Sequence, residues 1–403
     1  MGVQRVSMPA AGLPAIGSVE TIPGPPGYQV RFPDRPHVAC EMWLRELSAC
    51  DLSPSSLRSY GCDLLRWLRF LHVHDVAWQR AERGHVRDLV EHLRTAPNPR
   101  RLRRSPTAAP LGSVNQITGK PYPTLGYAPR TINHQLTVLS EFYDFAIDAD
   151  LGPLVNPVPQ QRGRARDRAH AHHNPMQPFA RGRRAQYRQK VPQQQPRAIP
   201  DQVIDNLFAA LRRHRDRALV AFYLSSGVRA SELLGMRLVD VDAGQRTIKV
   251  VSKGSRELAE VPASADAFAW LALYLMEAAQ HGYLADGLVW HTLRSPFRPL
   301  NYHAARAVLM RANALLGTNH SLHDLRHTAA TRMVDDPVFT LVDVQTILRH
   351  ASISTTLLYT RPRLEDLIAK VTEHHARPRP DPVAQVADGY DATQVRELLG
   401  LSE

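Results

Sequence analysis

Apolar residues recur at three- and four-residue intervals along most of this chain, and strict alternation is confined to one short stretch. Helical periodicity sets in from Pro36. Ser53 has the hydroxyl of an N-cap and Pro54 follows at the first helical position. Leu57, Tyr60, Leu64, Trp67, Leu68 and Leu71 then mark the buried face of a helix. A further helix is expected over roughly 85–93. Residues 95–127 break the period with Pro, Gly and the basic cluster Arg100, Arg101, Arg103 and Arg104, and read as a long loop. Periodicity returns over 128–146, where Ile132, Leu136, Leu139, Phe142 and Tyr143 supply the stripe, and Asn156-Pro157 closes it.

A second periodic region begins near Ile199. One helix is expected over 201–213, and a second runs up to Gly227. Residues 247–262 alternate in the β manner around Lys253-Gly254 and read as a hairpin. Helices are then expected at roughly 264–280, 301–316, 321–334, 340–349 and 352–361, with Asn301 and Gly317 capping the second of these. The fold class expected is mainly α: an N-terminal helical domain, then a mostly helical domain with one small antiparallel sheet. The division is a flexible arm at 1–35, a helical domain at 36–158, a basic linker at 159–198, a second domain at 199–375 and a tail at 376–403.

Charge sharpens the picture. The 403 residues carry a formal charge of +12, which suits an acidic polymer as partner. The excess is uneven. Between 161 and 190, Arg162, Arg164, Arg166, Arg168, Arg181, Arg183, Arg184, Arg188 and Lys190 face only Asp167, a local charge of +8. That stretch reads either as a solvated tether or as a segment that tracks a phosphate backbone. Cys40, Cys50 and Cys62 match no zinc spacing and are expected to be free, buried thiols in a reducing cytosol. No apolar run reaches spanning length, and no signal peptide is read, so a cytoplasmic protein without a membrane partner is expected.

The candidate chemistry lies in three short segments. G-V-R-A-S-E-L-L (227–234) holds Arg229 at a break between helices. L-H-D-L-R-H-T (322–328) holds His323 and Arg326, which are neighbours on one helix. L-R-H-A-S-I-S-T-T-L-L-Y-T (348–360) holds His350 and Tyr359. A phosphodiester repels nucleophiles by its negative charge, so a site that attacks one needs fixed cations. Arginine's planar fork gives two parallel hydrogen bonds and stays charged when desolvated. A tyrosine nucleophile must lose a proton whose free pKa is about 10, which neighbouring Arg and His donors ease. Lys253, at the hairpin tip, is placed to protonate a leaving oxygen. Each residue alone is ordinary.

Taken together they resemble the tyrosine recombinase (phage integrase) family. His350 follows Arg326 by 24 residues and Tyr359 follows His350 by nine. The resemblance is continuous from about 217 to 361 and closest over 340–360. A looser likeness to the family's N-terminal DNA-gripping helices covers 53–71 and 130–136, the latter including Arg130.

The resemblance implies a site-specific DNA recombinase of the integrase or transposase type that needs no metal or nucleotide cofactor. Tyr359 would form a 3′-phosphotyrosyl link. Arg229 and Arg326 would hold the non-bridging oxygens, Lys253 would be the general acid, and His323 would assist proton transfer from the tyrosine. His350 would bind a phosphate oxygen and Glu232 would support Arg229. Four protomers would assemble on two double-stranded DNA sites. DNA contacts are expected from Arg100, Arg101, Arg103, Arg104, Arg130, Arg162, Arg164, Arg181, Arg183 and Arg184. Arg349 stands where the family usually has glycine, and is expected to contact DNA or to alter the turn that aims His350. The competing readings are a type IB topoisomerase-like relaxing enzyme and an inactive DNA-binding relative. A metal site at His170, His172 and His173 is set aside because no carboxylate or cysteine stands at a ligand spacing.

Overall fold

The computed structural model describes residues 12–99, 109–161, 184–191, 198–252, 257–281, 286–360, 364–377, 389 and 391–400. The chain divides into two compact units, Met1–Gln194 and Gln195–Glu403.

The first unit opens with an antiparallel hairpin, β1 (Ser18–Thr21) and β2 (Tyr28–Arg31), in the register Ser18↔Arg31 to Thr21↔Tyr28. Four helices follow: α1 (Val38–Ala49), α2 (Pro54–Val73), α3 (Arg83–Thr95) and α4 (Pro129–Asp148). The stripes of α2 and α4 meet in one core containing Leu64, Trp67, Phe70, Leu136, Phe142 and Tyr143. Burial of such side chains contributes about 1.5–3 kcal/mol each. The polar ends of the aromatics are satisfied: Trp67 Nε1 donates to Tyr143 Oη (2.8 Å), which donates to the Trp78 carbonyl (2.9 Å).

Three expectations are corrected in this unit. The described part of the supposed arm at 1–35 is a hairpin, and its Val30 is fully buried in the helical core. The reason is tertiary: Gly61 has no Cβ, and Val19 and Val30 fill the space beside it on α2. Residues 159–161 and 184–191 of the supposed basic linker also belong to the first unit. β3 (Gln160–Gln161) pairs with β4 (Arg184–Ala185), Tyr187 packs against the core, and Asn133 exchanges two hydrogen bonds with the Gln189 backbone (2.7 and 2.9 Å). Of the three thiols only Cys40 is buried; Cys50 is exposed and Cys62 half-buried.

The second unit begins with α5 (Asp201–Ala210), α6 (His214–Ser226) and α7 (Ala230–Leu234). A three-stranded antiparallel sheet follows in the order β5 (Val241–Asp242), β6 (Thr247–Val251), β7 (Leu258–Pro262). The remaining helices are α8 (Ala265–Gln280), α9 (Tyr302–Leu316), α10 (Leu322–Asp335), α11 (Leu341–Leu348), α12 (Ile353–Thr356), α13 (Leu364–Ala376) and α14 (Ala392–Leu398). Helix α6 is buried over most of its length, Arg215 and Asp216 included, and packs against both α8 and α10. Asn301 and Gly317 cap α9 as expected, Gly317 at φ +67°. A satellite core of Ala330, Met333, Val344 and Leu348 joins α10 to α11, and Tyr359 packs on it. The mainly α class with small antiparallel sheets is what the periodicity implied. Among the described residues no helix is long and apolar enough to cross a membrane.

Candidate active site

The site is assembled where three helix ends meet. Helix α6 stops at Gly227, which adopts a left-handed conformation (φ +60°) and turns the chain so that Arg229 becomes the N-cap of α7. Glu232, one turn on, closes the cap: its carboxylate accepts the Arg229 N–H (2.8 Å) and Arg229 Nη1 (2.7 Å). Arg229 Nη2 donates to the Arg349 carbonyl (3.0 Å) just past α11. Arg326, on α10, is only 4% exposed. Its Nη1 donates to the Gly227 carbonyl and its Nη2 to the Leu348 carbonyl at 2.7 Å. Both guanidiniums are thus fixed by carbonyls at helix C-termini, where the partial charge is negative. Burial and the charges of Arg229 and Arg349 pull Arg326 down to about 10, which leaves it a cation at neutral pH.

Arg349 ends α11 in the left-handed region (φ +52°) and turns its side chain inward. Its Nη2 reaches Glu232 Oε2 (2.5 Å) and its Nη1 the Ile347 carbonyl (2.7 Å). Burial works to raise the Glu232 carboxyl, but the Arg229 N–H and the two guanidiniums outweigh it and hold the group below the usual range.

His350 is 8% exposed, with Nδ1 and Thr356 Oγ1 2.9 Å apart. Burial, then the charges of Arg326, Arg229 and Arg349, lower its pKa to about 4, so it is neutral at physiological pH. With Thr356 engaging Nδ1, Nε2 is the atom left to face a ligand. The Tyr359 ring lies parallel to His350, 6.3 Å between centroids. Its Oη is 2.7 Å from Nδ1 of His327. The His323 ring stands edge-on to His327, 4.1 Å between centroids. Burial raises the Tyr359 pKa and the Arg326 charge opposes the rise.

Comparison with known proteins fits this arrangement. The family profile described as "Phage integrase family" matches residues 197–365, and that of "Phage integrase, N-terminal SAM-like domain" matches 40–108. The chain belongs to the tyrosine recombinases of the phage integrase family. It is 36% identical over 170 residues to the tyrosine recombinase XerD of Pseudomonas aeruginosa, a match covering 40% of this chain and 55% of that protein. It is 31% identical over 201 residues to XerD of Proteus mirabilis, covering 47% and 62%. The chain therefore spans a little more than half the length of the curated relatives it matches.

Among solved structures, the XerH site-specific recombinase bound to a palindromic difH substrate, in a post-cleavage complex, aligns with a TM-score of 0.54 at 16% identity, over 84% of this chain and 85% of that one. The Tn1549 transposon integrase in complex with circular intermediate DNA aligns with a TM-score of 0.50 at 14% identity, over 83% and 98%. At these identities the likeness is one of fold.

At this site the structure brings Arg229, Glu232, Arg326, His350 and Tyr359 together. His323 stands beside the cluster, but the residue on the Tyr359 hydroxyl is His327. The sequence reading passed over His327, although four residues from His323 on α10 puts the two on one face. Tyr359 lies past the end of α12, not within a helix running to 361; its amide donates to the Thr356 carbonyl (3.0 Å). Thr356, the last residue of α12, is fully buried, and its side chain meets His350. Arg349 turns into the protein, not outward toward a ligand. Arg130 is exposed on the first turn of α4. Lys253, Arg100, Arg101, Arg103, Arg104, Arg162, Arg164, Arg181 and Arg183 lie outside the described residues, as do His170, His172, His173 and the side chain of Arg184.

Proposed function

We propose that this chain is a site-specific DNA recombinase that cuts and rejoins strands through a 3′-phosphotyrosyl intermediate. The observation that carries the reading is the Tyr359 hydroxyl, 2.7 Å from Nδ1 of His327 and set beside Arg326 and His350. Arg229 and Arg326 hold the non-bridging oxygens of the scissile phosphate, and Nε2 of His350 donates a further hydrogen bond. Tyr359 Oη attacks phosphorus and passes its proton to Nδ1 of His327. The bond from phosphorus to the 5′-oxygen breaks, and Lys253 protonates that oxygen. The products are a phosphotyrosyl ester and a free 5′-hydroxyl. The ester conserves the bond energy, so a 5′-hydroxyl from another strand reverses the step without ATP or a metal. His323 stands behind His327 in the same proton path.

The partner is duplex DNA in the cytoplasm, with Glu232 supporting Arg229 and four protomers on two sites. The domain limits proposed are 36–158 for the DNA-gripping helices and 199–375 for the catalytic domain. The basic residues near 100 and in the stretch 159–198 are proposed to lie along the phosphate backbone. A mobile-element role is favoured by those basic insertions.

The test uses a supercoiled plasmid carrying the DNA that flanks the coding sequence in its genome. Wild-type protein stopped with detergent is expected to yield a covalent protein–DNA adduct, and Tyr359→Phe none, with DNA affinity unchanged. Adduct formation by Tyr359→Phe would place the nucleophile elsewhere and end this reading.

A further inference from the structure

The Arg349 guanidinium is unlike the other cations of the site, because its partners are the buried Glu232 carboxylate and the Ile347 carbonyl. We infer that Arg349 is a positioning residue, which ties the turn carrying His350 and Tyr359 to the cap that holds Arg229. The inference rests on the proposed strand-transfer chemistry for its consequence, but on geometry alone for its mechanism.

Four observations support it. First, the Arg349 side chain is 8% exposed and the Glu232 side chain 0%, so the pair is sealed from solvent. Second, Glu232 is shared: Oε1 serves Arg229 Nη1, and Oε2 serves both the Arg229 N–H and Arg349 Nη2. Third, the link is returned through the backbone, since Arg229 Nη2 donates to the carbonyl of Arg349 itself (3.0 Å). The two arginines therefore form a closed loop through one carboxylate and one peptide group. Fourth, Arg349 Nη1 also caps its own helix at the Ile347 carbonyl (2.7 Å), while Arg326 caps the Leu348 carbonyl. The C-terminus of α11 is thus held by three guanidiniums, and the next residue is His350.

The arrangement has a cost that marks it as selected for position. A non-glycine residue in the left-handed region loses roughly 1–2 kcal/mol. Desolvating a guanidinium costs more, and burial lowers the Arg349 pKa despite its carboxylate partner. Glycine would avoid both costs at φ +52° but would leave the turn attached through main-chain bonds only.

That contrast gives the experiment. Arg349→Gly keeps the backbone conformation and removes the side-chain ties, and Arg349→Lys restores charge without the two-armed fork. Adduct formation is measured at saturating protein, DNA binding across a salt series, and amide hydrogen exchange on the free protein. A misplaced reactive group loses up to about a hundredfold in rate, and we expect a loss of at least about tenfold for Arg349→Gly, little recovered by Lys. DNA affinity and its salt slope are expected to stay at wild-type values, and amides from 350 to 359 to exchange faster. Wild-type adduct rate and wild-type exchange in Arg349→Gly would overturn the inference. A parallel fall in affinity, with the salt slope reduced by about one, would also overturn it by making Arg349 a phosphate contact. If the wild-type protein formed no adduct, the recombinase reading would fall, while the exchange measurement would still decide the role of Arg349.

Discussion

Tyr359 poses the site's central problem at the scale of single residues. Burial holds its proton more tightly than in water, while attack needs the phenolate. Arg326 opposes the burial, and Nδ1 of His327, the base in the proposed mechanism, lies 2.7 Å from the hydroxyl. General-base assistance contributes about 10²–10⁴-fold, so His327→Asn, which retains a hydrogen-bonding side chain but cannot take the proton, is expected to slow adduct formation by that order without weakening DNA binding. Its residual rate should climb with pH into the alkaline range, because without a base the rate follows the phenolate fraction. Rate against pH for His327→Asn and His323→Asn decides which histidine is the acceptor: a wild-type profile for the first and a steep one for the second would move the role to His323. That Arg229, Arg326, His350 and Tyr359 converge was legible in the sequence because their joint spacing resembles one family's pattern, although each residue alone is ordinary. His327 was not, since a histidine beside Arg326 looks like any half-exposed helix position until the Tyr359 turn is folded over it. The inward direction of Arg349 was equally hidden, because it depends on Glu232, more than a hundred residues away in sequence.

Among the elements, those set by local chemistry were legible and those set by tertiary contact were not. The starts of α2 and α9 follow from Ser53 and Asn301, whose side chains accept the N–H of Ser56 and Ala304. The end of α12 is different: residues 357–360 contain no Gly or Pro, and the helix nonetheless ends at Thr356, whose side chain meets His350. The β1–β2 hairpin was missed for the same reason, its Pro- and Gly-rich stretch being ordered by α2. Gly227 shows how one element end controls the site. It is left-handed, it caps α6, and its carbonyl receives Arg326. A Cβ there would overlap the Leu348 side chain. Left-handed strain of about 1–2 kcal/mol adds to overpacking of about 1–3 kcal/mol, so Gly227→Ala is expected to destabilise the protein by about 2–5 kcal/mol. Denaturant unfolding measures this. The adduct rate should fall as well, because the shift moves both the Arg326 acceptor and the end of α11. A variant as stable as wild type would mean that Leu348 can yield, and that α11 is not the rigid support described here.

For the molecule as a whole, charge is the property that outlasts detail. The net charge is +12, and the stretch 161–190 alone contributes +8. Two of the described residues in that stretch, Tyr187 and Gln189, are committed to the first unit through Arg83 and Asn133. This explains why charge and composition alone misjudged its ends: the docking uses the Tyr187 ring and the backbone of Gln189, which a run of arginines does not reveal. If the arginines between lie along DNA, binding releases the counterions they displace, at a slope of about −0.9 in log K against log salt for each phosphate neutralised. Replacing Arg162, Arg164, Arg181, Arg183 and Arg184 by Gln is then expected to weaken binding to all sequences alike. The slope should flatten by up to about 4.5 units, with the cleavage position unchanged, because phosphate contacts hold the protein in place and base contacts choose the sequence. Charges that stay solvated in both free and bound protein contribute nothing to the slope, so an unchanged slope in the quintuple variant would reduce the stretch to a spacer. A change confined to the specific site would instead mean that these arginines enter a groove. The distinction bears on function, since backbone tracking raises affinity for any duplex and leaves the choice of site to residues elsewhere in the chain.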